Sequence, residues 1–373
     1  MTGSSTVGTF GRGACSPFLM DENGFFSLFG GGSAIGLSIG SSSVKLVELV
    51  RQKKSWKLIH FSMLPLPEDS VVNREVMNHV AVVDVIRQLL KNSKISGKNV
   101  CTGLSGPSLI IKRMTLEVPN KNELQDAVFW EAEQYLPFDP SEVSMDFHVV
   151  SRGKDAKTEV VFVAAKTSVM DSYTSAISDA GLKAKTVDSE FFALQNIFEA
   201  NYPAVASQAV ALVDIGAVAT KVVVVQEGIP LYTKDTTIGG RNLTSDIQKH
   251  LNLNYEDAEA LKVGNGNVPT PQEVAELMQV TSENFAVEVK RALDFYNASS
   301  SGAPVAYVLL TGGSSKIPDL SRMIEEKVGL PVQLLNPFTQ VGYDEKVFTP
   351  DMIQMISPLI AVPMGLAIRG GLG

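Results

Sequence analysis

The sequence predicts a two-lobed α/β protein built on an internal duplication, and three stretches carry that prediction. In the first, an apolar run (Ala34, Ile35, Leu37, Ile39) ends in Gly40, Ser41, Ser42 and Ser43. A second apolar strand (Val44, Leu46, Val47, Leu49) leaves at once with period two. This pattern is a β-hairpin with a tight, hydroxyl-rich turn and Lys45 just past it. Such a turn gathers backbone N–H groups, small hydroxyls and one cation at a point. That makes a cradle for phosphate oxygens, although a plain Gly/Ser turn has the same composition. The second stretch, Ala211 to Val225, repeats the design. Superimposing Ile39-Gly40 on Ile215-Gly216 sets Ser38 opposite Asp214 and Lys45 opposite Lys221. In the third, the strand Tyr307-Val308-Leu309-Leu310 runs into Thr311-Gly312-Gly313-Ser314-Ser315 and then a helix. Glycine, lacking Cβ, lets backbone approach a ligand closely there.

A length of 373 residues is long for one ordinary domain and suggests lobes with a cleft. The net charge of −8, with signs interspersed, argues against a nucleic-acid partner, which calls for a basic stripe. Two cysteines, Cys15 and Cys101, make no disulfide framework or cysteine metal site, and suit a reducing, cytosolic interior.

Residues 1–33 are Gly-, Ser- and Phe-rich and read as a flexible leader. Their apolar clusters are broken by Pro17, Asp21 and Glu22, which excludes a signal peptide. After the first hairpin, Trp56 to Leu64 is a strand. A helix over 76–90 follows, with Val76, Val80, Val83, Ile86 and Leu90 at helical spacing. Val100–Leu104 and Leu109–Met114 are strands, and Asn120 with Glu123 opens a helix that runs to Leu136 and stops at Pro137. Its inward residues are Leu124, Val128, Ala132 and Tyr135. Val143–Val150 and Glu159–Ala165 are strands joined through Arg152 to Asp155, and a helix over 170–180 closes a βαββα-type module.

A helix over 188–200 leads to the second lobe, where Ile229–Asp235 is a strand and Ile238-Gly239-Gly240-Arg241-Asn242 opens a helix. Its N-terminal N–H groups suit either a phosphate or a plain turn. Asn254–Lys262, a Pro/Gly-rich stretch to Pro271, and a helix to Tyr296 make a small helical subdomain. In its last helix Glu288 and Arg291 share one face, opposite the buried Phe285, Val289, Leu293 and Tyr296. The apolar run from Ile356 to Ile368, though it holds Pro358 and Pro363, reads as a packed helix. The expected organisation is a first-lobe core at 34–97 and 186–206, with an insertion at 98–185. A second-lobe core at 207–250 and 303–345 carries the helical subdomain at 251–302, and a C-terminal helix within 346–373 returns to the first lobe.

Paired phosphate hairpins with a strand–Gly-Gly–helix element resemble the actin-like ATPase fold, shared by Hsp70 chaperones and sugar kinases. An early insertion in the first lobe is similar to that of the FtsA cell-division proteins and the PilM family of type IV pilus proteins. Leu116-Glu117-Val118-Pro119 and Ala127-Val128-Phe129-Trp130-Glu131-Ala132-Glu133-Gln134-Tyr135-Leu136-Pro137-Phe138 resemble the PilM family most specifically. Ile35-Gly36-Leu37, Ile39 to Val47, Ile238-Gly239-Gly240 and Gly365-Leu366-Ala367-Ile368-Arg369 extend the resemblance to nearly the whole chain.

The resemblance implies an actin-like fold with an FtsA-type inserted subdomain and a site for ATP and Mg2+. Gly40, Ser41, Ser42, Ser43, Lys45, Asp214, Gly216, Gly239, Gly240, Gly312, Gly313 and Ser314 would hold the nucleotide. Glu288 and Arg291 would lie at the ribose and adenine edge, Asp214 would anchor the metal, and Glu190 would orient the attacking water; Glu190 also reads as an exposed helix acid. The resemblance further implies a cytoplasmic protein recruited to the inner membrane by the N-terminal cytoplasmic peptide of PilN. There it would work alongside PilO and the motor components, as a monomer or a homo-oligomer. The peptide groove would lie between the first-lobe core and the insertion, whose Trp130, Tyr135 and Phe138 also read as ordinary core. Ser38 departs from the pattern, because such ATPases carry Asp there. Losing that charge implies slow or absent hydrolysis, restored in part by Ser38→Asp. A sugar-kinase-like enzyme and an FtsA-like membrane-associated cytoskeletal protein are the alternatives. The first lacks a clear acidic pair for a sugar, and the second expects a basic amphipathic C-terminal helix that Arg369 to Gly373 does not provide.

Overall fold

Alternating apolar residues build the first three strands, β1 (Ser33–Ile39), β2 (Ser43–Gln52) and β3 (Ser55–Pro65), as an antiparallel meander. The computed structural model describes residues 33–53, 55–95, 97–118, 123–153, 157–264, 270–299 and 302–372. The expected leader, apart from Ser33, lies outside the described residues, as do Asn120, Lys154-Asp155 and most of the Pro/Gly-rich stretch before Pro271. The chain divides into two units, Met1–Asn196 with Val362–Gly373, and Ile197–Ala361.

In the first unit β1 is buried on both faces from Ala34 to Ile39, so its pattern reads as a continuous apolar run. A two-strand ribbon, β4 (Val71–Val72) and β5 (Glu75–Val76), turns through Asn73 and Arg74 at positive φ. Helix α1 (His79–Asn92) then starts at Asn78, whose side chain accepts the Ala81 N–H at 3.1 Å. That cap sets the helical phase later than the spacing suggested. Val76 falls in the ribbon, Val80 is 67% exposed, and Val82, Val83, Val85, Ile86 and Leu89 face inward.

Strand β6 (Asn99–Leu104) pairs parallel to β1. Next, β7 (Leu109–Glu117), α2 (Leu124–Glu133), β8 (Val143–Arg152) and β9 (Lys157–Lys166) form a separate antiparallel sheet ordered β7-β9-β8. Leu124, Val128 and Ala132 of α2 pack with Met114, Val160, Phe162 and Ala164 of its strands. Tyr135, expected inside, is outside the helix and exposed, its ring 4.5 Å from Lys112 Nζ. Phe138 lies in the same way 4.6 Å from Lys166 Nζ, and Trp130 is exposed.

Helix α3 (Thr167–Asp179) packs largely on α1, β5 and β10 (Lys183–Ser189), rather than closing the inserted sheet. Strand β10, unassigned from the sequence except for Asp188 and Ser189, which read as helix, pairs parallel to β6. With two lysines, Asp188 and only Ala184 and Val187 apolar, its sequence carries little strand signal. The principal sheet therefore runs β10-β6-β1-β2-β3, so β6 and β10 belong to it although both start within 98–185. Helix α4 (Glu190–Asn201) carries the chain into the second unit.

There β11 (Val210–Ile215), β12 (Thr220–Gln226) and β13 (Ile229–Thr236) repeat the meander, followed by α5 (Arg241–Leu251), α6 (Tyr255–Lys262) and the long α7 (Gln272–Ser299). Strand β14 (Tyr307–Thr311), α8 (Leu320–Val328) and β15 (Val332–Leu334) complete a sheet ordered β13-β12-β11-β14-β15. Ile215, Val222, Val224, Leu243, Phe285, Val289, Leu293, Tyr296 and Leu310 are among its core residues. After the short β16 (Gly342–Tyr343), α9 (Pro350–Gly370) leads back to the first unit.

Among the described residues α9 is the one helix long and apolar enough to cross a membrane. Its last turns, Ala361 to Arg369, are buried in the protein. Gly36 admits this packing, for a Cβ there would lie 2.0 Å from the Pro363 carbonyl oxygen. Gly365 packs as closely on Ala193 of α4.

Candidate functional site

In the second unit the antiparallel register sets Asp214 of β11 opposite Lys221 of β12. Lys221 Nζ lies 2.7 Å from Asp214 Oδ2, with both side chains more than nine-tenths buried. Below the pair, the hairpin closes with the Gly216 N–H donating to Ala219 O at 2.9 Å. Strand β14 lies parallel to β11 with Thr311 level with Asp214, which brings the next residue, Gly312, against the carboxylate. Gly312 has φ +92°, and a Cβ on it would stand 2.4 Å from both Asp214 Oδ1 and Ile215 O. Backbone conformation and space both require glycine there. Its N–H donates to Pro358 O at 2.7 Å.

The second glycine pair joins the same cluster. A Cβ on Gly239 would meet Ala217 O at 2.4 Å, and one on Gly240 would meet Ser314 Oγ at 2.0 Å. Ser314 Oγ donates to Gly216 O at 3.2 Å. The structure thus brings Asp214, Gly216, Gly239, Gly240, Gly312 and Ser314 together, with Gly313 beside them in the chain. One expected element changes role. The N–H groups of Gly240 and Arg241 donate to Gly216 O and Ala217 O at 3.0 and 2.7 Å, so they hold the hairpin rather than facing a phosphate.

Lys262, at the end of α6, is a member of this cluster that the sequence reading missed. Its buried ammonium donates to Gly240 O, Thr244 Oγ1 and Glu259 Oε2 at 3.4, 3.0 and 2.6 Å, and burial lowers its pKa. The signal was present, since Lys262 follows Ala258 and Leu261 on the apolar stripe and lies three residues after Glu259. Glu288 and Arg291 meet as an i,i+3 pair on α7 at 3.4 Å, with Arg291 largely in solvent.

The first unit repeats the hairpin. Ser38 stands opposite Lys45, and the Gly40 N–H donates to Ser43 O at 3.0 Å. Ser41 and Ser43 are buried, while Gly40, Ser42 and Lys45 are half-buried. Glu190, read as either a water-orienting residue or an exposed helix acid, is 4% exposed, which removes the second reading. It is the first residue of α4, directly after β10, and so begins at the end of a buried strand rather than on a surface turn. Ser105 Oγ, just past β6, donates to Glu190 Oε2 at 2.7 Å, and Ser38 Oγ makes a long 3.5 Å contact with Oε1. Ser105 was not anticipated, because a lone serine after a strand carries no spacing signal.

The donor set does not fit a magnesium ion held by the protein. Magnesium is bound through carboxylates, phosphates and water. Asp214 has one oxygen on the Lys221 ammonium and the other against Gly312, and Ser38 supplies no charge. Among the described residues no group of three or more His, Cys, Asp or Glu side chains is placed to hold a metal. Asp214, expected to anchor Mg2+, is paired with Lys221 in this arrangement.

The family model of the type IV pilus assembly protein PilM matches residues 36–371. The chain belongs to the PilM family. Its backbone is similar to that of a solved PilM-PilN type IV pilus biogenesis complex, with 28% identity and a TM-score of 0.81 over 91% of this chain and 99% of that one. The ethanolamine utilization protein EutJ from Carboxydothermus hydrogenoformans matches at 16% identity and a TM-score of 0.56, over 91% and 90% of the two chains. That likeness is one of fold, and with the PilM match it makes the fold of this PilM-family chain actin-like.

Proposed function

We propose that this chain is a nucleotide-binding scaffold for type IV pilus assembly. It binds ATP on the glycine cluster of its second unit and the N-terminal cytoplasmic peptide of PilN through its first. The observation that carries the nucleotide reading is Gly312, held at positive φ with its Cα against Asp214 and beside Gly240 and Ser314. Gly216, Gly239, Gly240 and Gly312 bring three backbone segments and Ser314 to one point beside the acid–lysine pair, the place in the second unit where a nucleotide would meet the chain most closely. Within the second unit Glu288 and Arg291 would meet the ribose and adenine; the Ser41–Ser42–Ser43 turn with Lys45 is the corresponding hairpin of the first unit and is proposed as a phosphate-binding turn. Magnesium would have to draw Asp214 away from Lys221.

Hydrolysis is slow or absent in this reading. Ser38 brings no charge to a phosphoryl-transfer site, and Glu190, the residue proposed to orient water, already accepts from Ser105. The PilN reading is supported by the likeness to the PilM-PilN complex along nearly the whole of that chain. Through PilN the protein would be cytoplasmic and peripheral to the inner membrane, working beside PilO and the motor components, with self-association open to it. Calorimetric titration of the full chain with ATP, and separately with a PilN N-terminal peptide, tests both halves. Saturable binding of each is expected; no binding of ATP would remove the nucleotide half, and no binding of the peptide the other.

A further inference from the structure

The outer side of α2 carries ring area and charge that the fold leaves unmatched. Leu124, Val128 and Ala132 take its inner side, while Trp130 is 71% exposed. Helical spacing puts Asp126 four residues before this ring and Glu133 three after it, so the three share one face. Both acids are exposed. Among the described residues neither forms an ion pair or accepts a hydrogen bond, and the indole meets no cation. Its aromatic neighbours differ. Tyr135 has Lys112 Nζ at 4.5 Å and Phe138 has Lys166 Nζ at 4.6 Å, so each ring already holds an ammonium. The last turn of α2 also carries Glu131 and Glu133 and no basic residue. Carboxylates there add to the negative end of the helix dipole, which costs the helix stability and strengthens its pull on a cation.

Charge selects the occupant. Nucleic acid and anionic lipid are repelled by the two carboxylates. A neutral apolar surface could cover the ring only by burying Asp126 and Glu133 without partners, which is costly. A guanidinium meets both needs, since its plane stacks on an indole and its N–H groups bond carboxylates. We propose that this face of α2 docks a partner protein through an arginine-bearing basic segment. Trp130 is the stacking surface, and Asp126 and Glu133 hold the guanidinium from either side. The surface stands apart from the nucleotide cluster, which belongs to the second unit.

The probe is a labelled synthetic arginine-rich peptide, titrated against the full chain and followed by fluorescence anisotropy. Saturable binding that weakens with added salt is expected, and none by the same peptide with glutamine for arginine. Trp130→Ala, and separately Asp126→Asn with Glu133→Gln, should each lower the affinity about tenfold. Trp130→Phe keeps a ring and should keep most of the affinity. Glu68→Gln with Asp69→Asn removes two charges from another exposed part of the same unit and should change little. Circular dichroism checks that each variant folds; all the altered side chains are exposed. No binding of the arginine peptide overturns the proposal, as does unchanged affinity in Trp130→Ala. A Trp130→Phe protein as weak as Trp130→Ala overturns the stacking role. A loss in the Glu68–Asp69 control equal to that in the Asp126–Glu133 variant also overturns the proposal, because it marks attraction to net negative charge alone.

Discussion

Ser38 Oγ lies 3.5 Å from Glu190 Oε1, joining the first strand of the chain to the first residue of a helix 152 positions later. Both are buried, and Ser105 holds the other carboxylate oxygen at 2.7 Å. From sequence, Ser38→Asp was expected to supply a missing catalytic charge. The contact changes the outcome at rest, because a second carboxylate at Ser38 would face the first, and like charges so close cannot both ionise without cost. Ser38→Asp should lower stability at neutral pH by about 1–3 kcal/mol. The pair would carry a raised apparent pKa. Its stabilising protonated form is present at low pH and lost as pH rises through that value, so the deficit should shrink on acidification. Urea unfolding of both proteins across pH checks this, and an equal deficit at every pH would refute it.

Asp214 and Lys221 offer a direct measure of what a buried pair does for the fold. Asp214→Ala leaves the Lys221 ammonium buried beside a void and should cost about 3–5 kcal/mol. Replacing both, Asp214→Leu with Lys221→Met, should cost less than the single change, since no charge is then stranded. Denaturant midpoints of the three proteins provide the comparison. A double variant less stable than Asp214→Ala would contradict it.

Neighbouring glycines should behave very differently. A Cβ on Gly312 meets Asp214 Oδ1 and Ile215 O at 2.4 Å in a left-handed backbone, whereas one on Gly313 meets Leu359 Cδ2 at an ordinary 3.4 Å. Gly312→Ala should therefore destabilise by about 2 kcal/mol or more. Gly313→Ala should stay within about 0.5 kcal/mol of the parent. Thermal unfolding of the pair suffices, and equal losses would mean the loop relaxes around either substitution.

The two hairpins were legible because period two and a Gly turn are local properties, and the superposition that set Ser38 opposite Asp214 and Lys45 opposite Lys221 matches their strand registers. Helix α7 was legible for the same reason, with Phe285, Val289, Leu293 and Tyr296 on its buried side. What failed was decided by distant partners. Glu190 looked like a surface acid until β6 brought Ser105 to it, and the inward face of α1 depended on one Asn78 cap. Tyr135 carries a helical spacing, yet α2 ends before it and its ring meets Lys112 instead of the core. Lys262 was passed over although it lies on the apolar side of α6 with Ala258 and Leu261, because an i,i+3 Glu–Lys pair ordinarily marks a solvated face and outweighed that position. The commitment of Asp214 to Lys221 is a question of side-chain direction, which spacing does not encode.

Asp188 and Arg369 make the last prediction. Asp188, near the end of β10, is fully enclosed, its Oδ1 accepting the Ser189 N–H at 2.7 Å and its Oδ2 lying 3.6 Å from Arg369 Nε at the end of α9. Burial pushes its pKa up to about 6, outweighing the opposing pull of the Arg369 guanidinium and the Ser189 N–H. The folded state therefore binds this proton more tightly than the unfolded chain does. Its contribution is fully present below the unfolded value near 4 and is lost as pH rises through about 6. The shift corresponds to a loss on the order of 3 kcal/mol across that window. Asp188→Asn cannot release a proton, so the variant should lack this part of the decline. Relative to the parent, its unfolding free energy should gain from about pH 4 to about pH 6 and then level off. Urea unfolding at several pH values, followed by the fluorescence of Trp56 and Trp130, both in the same unit, reads the difference. Parallel pH profiles for the two proteins would show that Asp188 is already ionised in the folded chain.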